Sequence, residues 1–484
     1  MTEIKHLRNY VNGEFVESDV LFDNINPVNG EVISKLFEAD TKIIDAAVTA
    51  ARHSSWSKLT TNERCAILHK VADRMAEREQ EFINAEMADT GKSLFQVKTI
   101  DIPRGTMNFR TFADMVKFHT GETFMTDTPT GGKALNYSVN KPLGVVAIIS
   151  PWNLPLLLAT WKIAPAMACG NSVILKPSEE TSSTAHLLAE VMDEVGVPKG
   201  AFNLILGRGQ NVGDAITGHT GIDAVTFTGA SKTGQQIMKT AAATVKPISF
   251  ELGGKNAAIV FDDADLEKAI AGVARSTFTN CGQVCLCTEK VYVHRKIADK
   301  FIEGLKQHAE KFVIGYPEDE NVFMGPLVSK AHQQKVLSYY ELAKQEGATV
   351  ITGGGVPQFN DERDQGCYIQ PTILTGLDDH ARTNREEIFG PVCHISTFDD
   401  EDEVIQRAND TQYGLACAIW TENLSRAHRV SPQMDVGLVW VNTWFLRDLR
   451  APFGGVKLSG IGREGGQHSL NFYAEPINIC INID

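Results

Sequence analysis

Between residues 61 and 91 the apolar positions Ile67, Leu68, Val71, Met75, Phe82, Ile83 and Met87 recur at spacings close to one helical face. Gly91 stands where such a helix stops. The first hundred residues therefore read as helical after a short extended start. From Gly144 the texture changes. Short apolar runs (GVVAIIS, SVILK, FNLIL, DAVTFTG) alternate with helix-period segments such as TAHLLAEVMDEVG and KTGQQIMKTAAA. Alternation of this kind predicts βαβ units and a parallel sheet, an α/β class.

A second series begins near Leu252 with NAAIVF, DLEKAIAGVARSTF, KVYVH and IADKFIEGLKQHAEKF. It continues through ATVITGG, CHISTF, ACAIWT and GLVWVN, so a second α/β unit is expected, with Gly253 and Gly254 as the crossing point. KALNYSVNK at 133–141 and AEPINICINID at 474–484 show imperfect period-two alternation and have no obvious local partner. They form either an extra small sheet or a pairing across an oligomer. The acidic clusters DDADLE and DDEDE sit where helices open, a favourable placement at the helix dipole.

Composition narrows the picture. A chain of 484 residues exceeds one ordinary core, and 43% hydrophobic with 22% charged residues is a globular balance. Forty-six Lys and Arg against sixty Asp and Glu give a net charge of −14, which argues against nucleic-acid or anionic-membrane partners. The apolar stretch at 143–170 is interrupted by Pro151, Asn153, Pro155, Lys162 and Pro165, so it reads as a buried strand and helix rather than a membrane span. Nine scattered cysteines and an amino terminus without an apolar leader point to reduced thiols in a cytoplasmic setting.

Local motifs alone say little. GRGQNVG at 207–213 places its third glycine one residue late for a dinucleotide loop and reads as a turn. FTGASKTG follows a strand and opens a helix, so its glycines either admit a phosphate to the backbone amides or serve close strand–helix packing. Cys281, Cys285 and Cys287 lack the spacing and the second ligand pair of a zinc site, so no metal is expected.

Taken in order, the landmarks become specific: PWNLP at 151–155, KPSE at 176–179, FTG at 227–229, FELGGK at 250–255, FTNCGQVC at 278–285, EEIFGPV at 386–392 and PFGGVKLSGIGRE at 452–464. With these the chain resembles the aldehyde dehydrogenase superfamily over essentially its whole length. The resemblance implies a Rossmann-like NAD-binding domain (1–122 and 142–252), a second α/β catalytic domain (253–445), and a small β oligomerisation element (123–141 and 470–484). Residues 446–469 are the return segment to the NAD-binding domain.

By the same resemblance Cys285 is the nucleophile, Asn153 an oxyanion donor with the Cys285 backbone N–H, and Glu251 the general base. Glu464 falls on the proton path behind that base or forms a structural ion pair. Lys176 and Glu179 match contacts to the adenosine ribose, where a carboxylate favours NAD over NADP. Gly229 lies by the pyrophosphate, Glu387 and Phe389 by the nicotinamide ribose, and Trp152 on the pocket wall. Many relatives carry Ser where this chain has Ala230, so that contact falls to Ser231, backbone amides or water.

The segment NTWFLRDLRAPFGG at 442–455 resembles the narrower group acting on 2-hydroxymuconate and 2-aminomuconate semialdehydes. Arg447 and Arg104 match substrate-contacting positions there, two guanidiniums suited to one carboxylate, with Arg110 and Arg450 as neighbouring alternatives. A small carboxylated aldehyde is thus the expected partner, with a homodimer or homotetramer as the assembly. The competing readings are a broad-specificity or betaine-type dehydrogenase, a CoA-acylating relative, a cofactor-free cysteine hydrolase, and a non-catalytic structural protein on the same scaffold.

Overall fold

The computed structural model describes residues 4–483. Residues 1–3 and 484, which the expected ranges 1–122 and 470–484 include, lie outside the described residues. Two α/β sheets dominate. The first has eight strands in the order Gly460–Ile461, Ile248–Glu251, Ala224–Thr228, Val145–Ile149, Ser172–Lys176, Phe202–Leu204, Asn9–Val11 and Glu14–Val16. Its five inner strands are parallel and the outer three antiparallel. The inner strands are buried along almost their whole length, as continuous β-branched runs such as AVTFT and SVILK require when both faces are covered.

In chain order the parallel strands run from Val145–Ile149 outward to Phe202–Leu204. The chain then crosses back, placing Ala224–Thr228 on the other flank of Val145–Ile149. The order therefore reverses between these two strands, and their carboxyl ends open a crevice there.

The second sheet has seven strands: Thr349–Thr352, Thr372–Thr375, Val392–Phe398, Thr288–His294, Asn256–Val260, Ala416–Trp420 and Leu438–Val441. All neighbours are parallel except the edge pair of Thr349–Thr352 with Thr372–Thr375. Gly253 and Gly254 lie in the link between the last central strand of the first sheet and the first strand of the second. The carboxyl edge of one sheet is thereby joined to the amino edge of the other.

Lys133–Pro142 and Ala474–Asn482 pair with each other, antiparallel over nine residue pairs, and Thr123–Asp127 completes a three-stranded sheet. Residues 470–473 close the helix Gly466–Tyr473, so the terminal strand begins only at Ala474.

The extended start is longer than the hydrophobic pattern suggests. Five strands, Lys5–Leu7, Asn9–Val11, Glu14–Val16, Val20–Ile25 and Val32–Glu38, precede the first helix, Thr41–His53. The first three have only three residues each, too few to show a period, and turns such as Asn12–Gly13 with positive φ break them up. The expected helical region divides at Arg78 into Thr61–Glu77 and Glu79–Thr90, and Gly91 ends it in the left-handed conformation at φ 68°. Asp265 and Asp400 cap the helices their acidic clusters open, accepting from Lys268 N and Glu403 N. The stretch at 143–170 is the buried strand Val145–Ile149 and the buried helix Pro155–Ala168, and among the described residues no helix is long and apolar enough to cross a membrane.

Candidate functional site

The loops after Val145–Ile149 and Ala224–Thr228 carry Pro151, Trp152 and Asn153 on one side, and Gly229 and Ala230 on the other. Together with Glu251, Cys285, Glu387 and Phe389 they line a hollow of about 150 Å³ at the point where the strand order reverses. A larger hollow of about 590 Å³ runs alongside, lined by Lys176, Gly209, Lys232 and Thr233 among others. Two helices begin beside it, Gly209–Thr217 and Ser231–Ala242, and in neither does the N-cap residue supply a side-chain cap.

GRGQNVG is therefore a turn at Gly207 that passes at once into a helix. A Cβ on Gly229 would stand 2.4 Å from the Phe227 ring, so close packing forbids a side chain, yet the residue also lines the smaller hollow.

Cys285 arrives from the second sheet, three residues before Thr288–His294. Its loop is tightly braced. Asn280 and Cys281 adopt left-handed backbone (φ 51° and 54°), and the Asn280 amide donates to the Asn153 and Gln283 carbonyls at 3.1 and 3.3 Å. Asn153 donates to the Gln283 carbonyl at 2.9 Å while its side chain lines the hollow. Asn256, first residue of its strand, donates to the carbonyls of Cys285 (2.7 Å) and Cys287 (2.9 Å). Burial pushes the Cys285 thiol up to about 12; the Glu251 and Glu387 carboxylates add to the rise and Arg447 opposes it. Cys281 and Cys287 are buried, their thiols donating to the Gly325 and Thr279 carbonyls.

Glu251 ends its strand with neither carboxylate oxygen hydrogen-bonded. Burial raises its carboxyl well above the ordinary range, and the nearby Glu464 charge raises it further against Lys162, Arg463 and Arg447. A Cβ on Gly454 would lie 2.8 Å from Glu251 Oε1, so only glycine leaves room there. Glu464 forms a buried ion pair with Lys162 of the helix Pro155–Ala168.

Arg104 and Arg447 converge. Arg104 is on the helix Ile102–Met115 and Arg447 on the loop after Leu438–Val441, yet both guanidiniums lie over Trp161, with Cζ 5.8 and 5.1 Å from its ring. Arg447 also sits 4.0 Å from the Phe453 centroid. Neither forms an ion pair among the described residues, and Arg104 Nε and Arg447 Nη2 are buried without an acceptor. Burial, with repulsion from Arg104, pulls Arg447 down to about 10. Arg110 pairs instead with Asp73 at 2.7 Å, and Arg450 with Asp448 at 2.7 Å.

Around the larger hollow Lys176 binds Glu179 at 2.9 Å, and the Gly209 amide donates to Glu179 Oε1. Burial raises the Glu179 carboxyl, but Lys176 and these hydrogen bonds outweigh it and hold the group below its ordinary range. Ser231 points elsewhere, donating to the Leu458 carbonyl, and lines neither hollow. Glu387 accepts from the Gly254 amide at 2.7 Å, and burial beside Glu289 raises it to about 7. Phe389 takes φ 63°, held by its amide to Glu289, which is in turn paired with Lys255. Its ring stands edge-on to Trp152 at 5.4 Å.

Several residues of this site carry no signal in the sequence pattern. Trp161 and Lys162 lie in an apolar helix that reads as core. His332, against Trp152 and lining the smaller hollow, comes from the helix Lys330–Gln345 far along the chain. Asn256 alone had an available cue, because it directly follows FELGGK.

With this geometry in view the comparisons are direct: the aldehyde dehydrogenase family matches residues 15–479, and the chain belongs to it. It is 57% identical over 485 residues to a 2-aminomuconic 6-semialdehyde dehydrogenase of Pseudomonas sp, covering 99% of each chain. It is 55% identical over 489 residues to a 2-hydroxymuconic semialdehyde dehydrogenase of Pseudomonas sp. (strain CF600), covering 100% of both. Among solved structures, a betaine aldehyde dehydrogenase of Staphylococcus aureus in complex with NAD+ superposes with a TM-score of 0.95 at 40% identity. That match covers 99% of this chain and 95% of the other.

Proposed function

We propose that the protein oxidises 2-hydroxymuconate or 2-aminomuconate semialdehyde to the dicarboxylate, with NAD as acceptor. The observation that carries this reading is the pair Arg104 and Arg447, buried over Trp161 with N–H groups left unpaired. Unpaired buried guanidinium donors are costly unless an anion completes them, and a planar carboxylate matches their fork. A quaternary-ammonium aldehyde would instead meet two cations.

The larger hollow suits a dinucleotide, with the uncapped start of Ser231–Ala242 and Lys176 and Lys232 for phosphate, and a Glu179 held below its ordinary range that would accept from ribose hydroxyls and repel a 2′-phosphate. When bound, NAD supplies the hydride acceptor. Cys285 attacks the aldehyde carbon as thiolate, and the second N–H of the Asn153 amide and the Cys285 backbone N–H receive the oxyanion. Loss of hydride leaves a thioester on Cys285. Glu251 then takes a proton from the water that cleaves it, releasing the acid and the thiol. Second to burial, the Lys162–Glu464 pair acts on Glu251, Glu464 raising its carboxyl and Lys162 lowering it.

The three-stranded sheet, exposed along Thr123–Asp127, is the surface we assign to a homodimer or homotetramer. Nine free cysteines, eight of them at least half-buried, suit a cytoplasmic enzyme.

The test is a steady-state comparison of both muconate semialdehydes with a neutral aldehyde. Arg104→Ala and Arg447→Ala are expected to lower kcat/KM for the carboxylated substrates by about ten- to a hundredfold each, far more than for the neutral one. Equal losses on both kinds of substrate remove the carboxylate clamp.

A further inference from the structure

A hollow of about 630 Å³ has no lining residue in common with the two described above. Each of its main walls leads to the reactive site. Thr99 and Ile100 lie in the turn Val97–Asp101 that runs straight into the helix of Arg104. Trp444 and Phe445 belong to the loop of Arg447, and Arg275, Thr279 and Asn280 lie on the approach to Cys285. Ile100, Phe445 and Cys285 also pack against one apolar cluster, which includes Trp444 and Phe453.

Arg275 is the cation of this hollow. Its guanidinium lies 5.9 Å from the centroid of the Trp444 ring. Among the described residues it has no ion pair, whereas exposed arginines such as Arg295, Arg382 and Arg429 each hold a carboxylate. The Trp444 indole N–H is taken by the Leu286 carbonyl at 3.0 Å, so this buried ring lines the hollow without a free donor. Phe445 stacks on Trp444 at 5.0 Å and 26°, held with φ 63°. Phe95 stands 65% exposed on another wall, and Glu320 is the single acidic residue among those lining the hollow. An unpaired cation beside stacked aromatic faces suits a ligand that is anionic at one end and flat along its length.

We propose that this hollow is a first-contact subsite for a planar, conjugated carboxylate, with Arg275 taking the anionic end and Phe445, backed by Trp444, the flat chain. The inference rests on the carboxylated-aldehyde reading and adds a second station to it. In a molecule with net charge −14, a local cation in this hollow offsets the general repulsion of an anionic substrate. Its contribution belongs to the encounter and fades once salt screens it, since the Debye length is about 8 Å at physiological ionic strength.

The test compares wild type, Arg275→Gln and Arg275→Lys on a muconate semialdehyde and a neutral aldehyde, from low to high salt. In Arg275→Gln the ratio of kcat/KM for the carboxylated over the neutral aldehyde is expected to fall about five- to tenfold at low salt, and to converge on wild type at high salt. Arg275→Lys restores the charge and with it the salt dependence. An unchanged ratio and salt slope in Arg275→Gln overturns the subsite, and so does a failure of Arg275→Lys to restore them. Arg104→Ala and Arg447→Ala in the same series separate the two ideas, because an inner clamp loses discrimination at every salt concentration. If those variants discriminate less and Arg275→Gln does not, the outer subsite alone fails. If none of the three alters discrimination, the carboxylated-aldehyde reading fails with it.

Discussion

Burial pushes the Cys285 thiol up to about 12 and raises the Glu251 carboxyl well above its ordinary range. A raised thiol gains nucleophile only as pH rises, so alkylation of Cys285 by iodoacetamide in the cofactor-free protein is expected to climb through pH 9 without a plateau. Neighbouring charges set the sign of two variants. Arg447→Ala removes a cation that favours the thiolate and slows alkylation at a fixed pH, whereas Glu251→Gln removes a carboxylate that opposes it and speeds the reaction. On turnover Glu251→Gln acts the other way. It is expected to cut steady-state rate by about 10²- to 10⁴-fold while a stoichiometric burst of NADH survives in rapid mixing, because only thioester hydrolysis needs the base. Loss of the burst would place Glu251 before hydride transfer. At this scale the ordered motifs made Cys285, Glu251 and Asn153 legible, and the structure gathers them on one hollow. The resemblance pointed to Arg104 and Arg447 but left Arg110 and Arg450 as alternatives, because the partners that separate them are distant in sequence: Asp73 engages Arg110, while Arg104 and Arg447 meet over Trp161.

At the scale of elements, the approach to Arg104 is unusual. Val97–Asp101 is a π-helical turn, a wider winding that re-aims the helix it enters, and Asp101 closes it. Asp101 and Glu86 share Lys92 at 2.5 and 2.8 Å, all three buried, so two carboxylates face one ammonium. Burial, with the Glu86 charge, raises Asp101 to about 6 despite Lys92. An acid whose folded pKa is raised costs stability as pH climbs from about 4, its unfolded value, to about 6, and the cost then levels off. Asp101→Asn is therefore expected to gain on wild type in denaturant unfolding at pH 8 relative to pH 4. Lys92→Met leaves two buried carboxylates facing each other and loses about 3–5 kcal/mol. A neutral result for Lys92→Met would show that the triad is not what holds the turn. Neither the π-turn nor this triad shows in the apolar period, since the turn is only five residues long and the triad is built of charged residues from separate segments.

For the whole molecule the alternation of strand and helix was readable because long central strands are apolar throughout. Short edge strands such as Lys5–Leu7 and Glu14–Val16 were not, because three residues carry no period. The three-stranded sheet falls between these cases. Its strands showed alternation, but that Lys133–Pro142 would find Ala474–Asn482 over more than three hundred residues is fixed by tertiary contacts alone. Every residue of Thr123–Asp127 is exposed, with Phe124 and Met125 more than half so. Phe124→Lys with Met125→Lys is expected to lower the mass seen by light scattering toward a single chain, and an unchanged mass would move the assembly surface elsewhere.

The pairing of Gly460–Ile461 with Ile248–Glu251 has a consequence for how the protein is made. The ribosome delivers the chain in order, yet the first core is finished by Leu470 and Tyr473, and the edge beside Glu251 by residues 460–461. The nucleotide-fold half therefore cannot close while the second sheet is being synthesised. It must wait, with apolar surface uncovered, for more than two hundred residues of later chain to be translated. A nascent chain stalled before residue 460 is a natural client for chaperones, and a late frameshift harms the first sheet rather than the second.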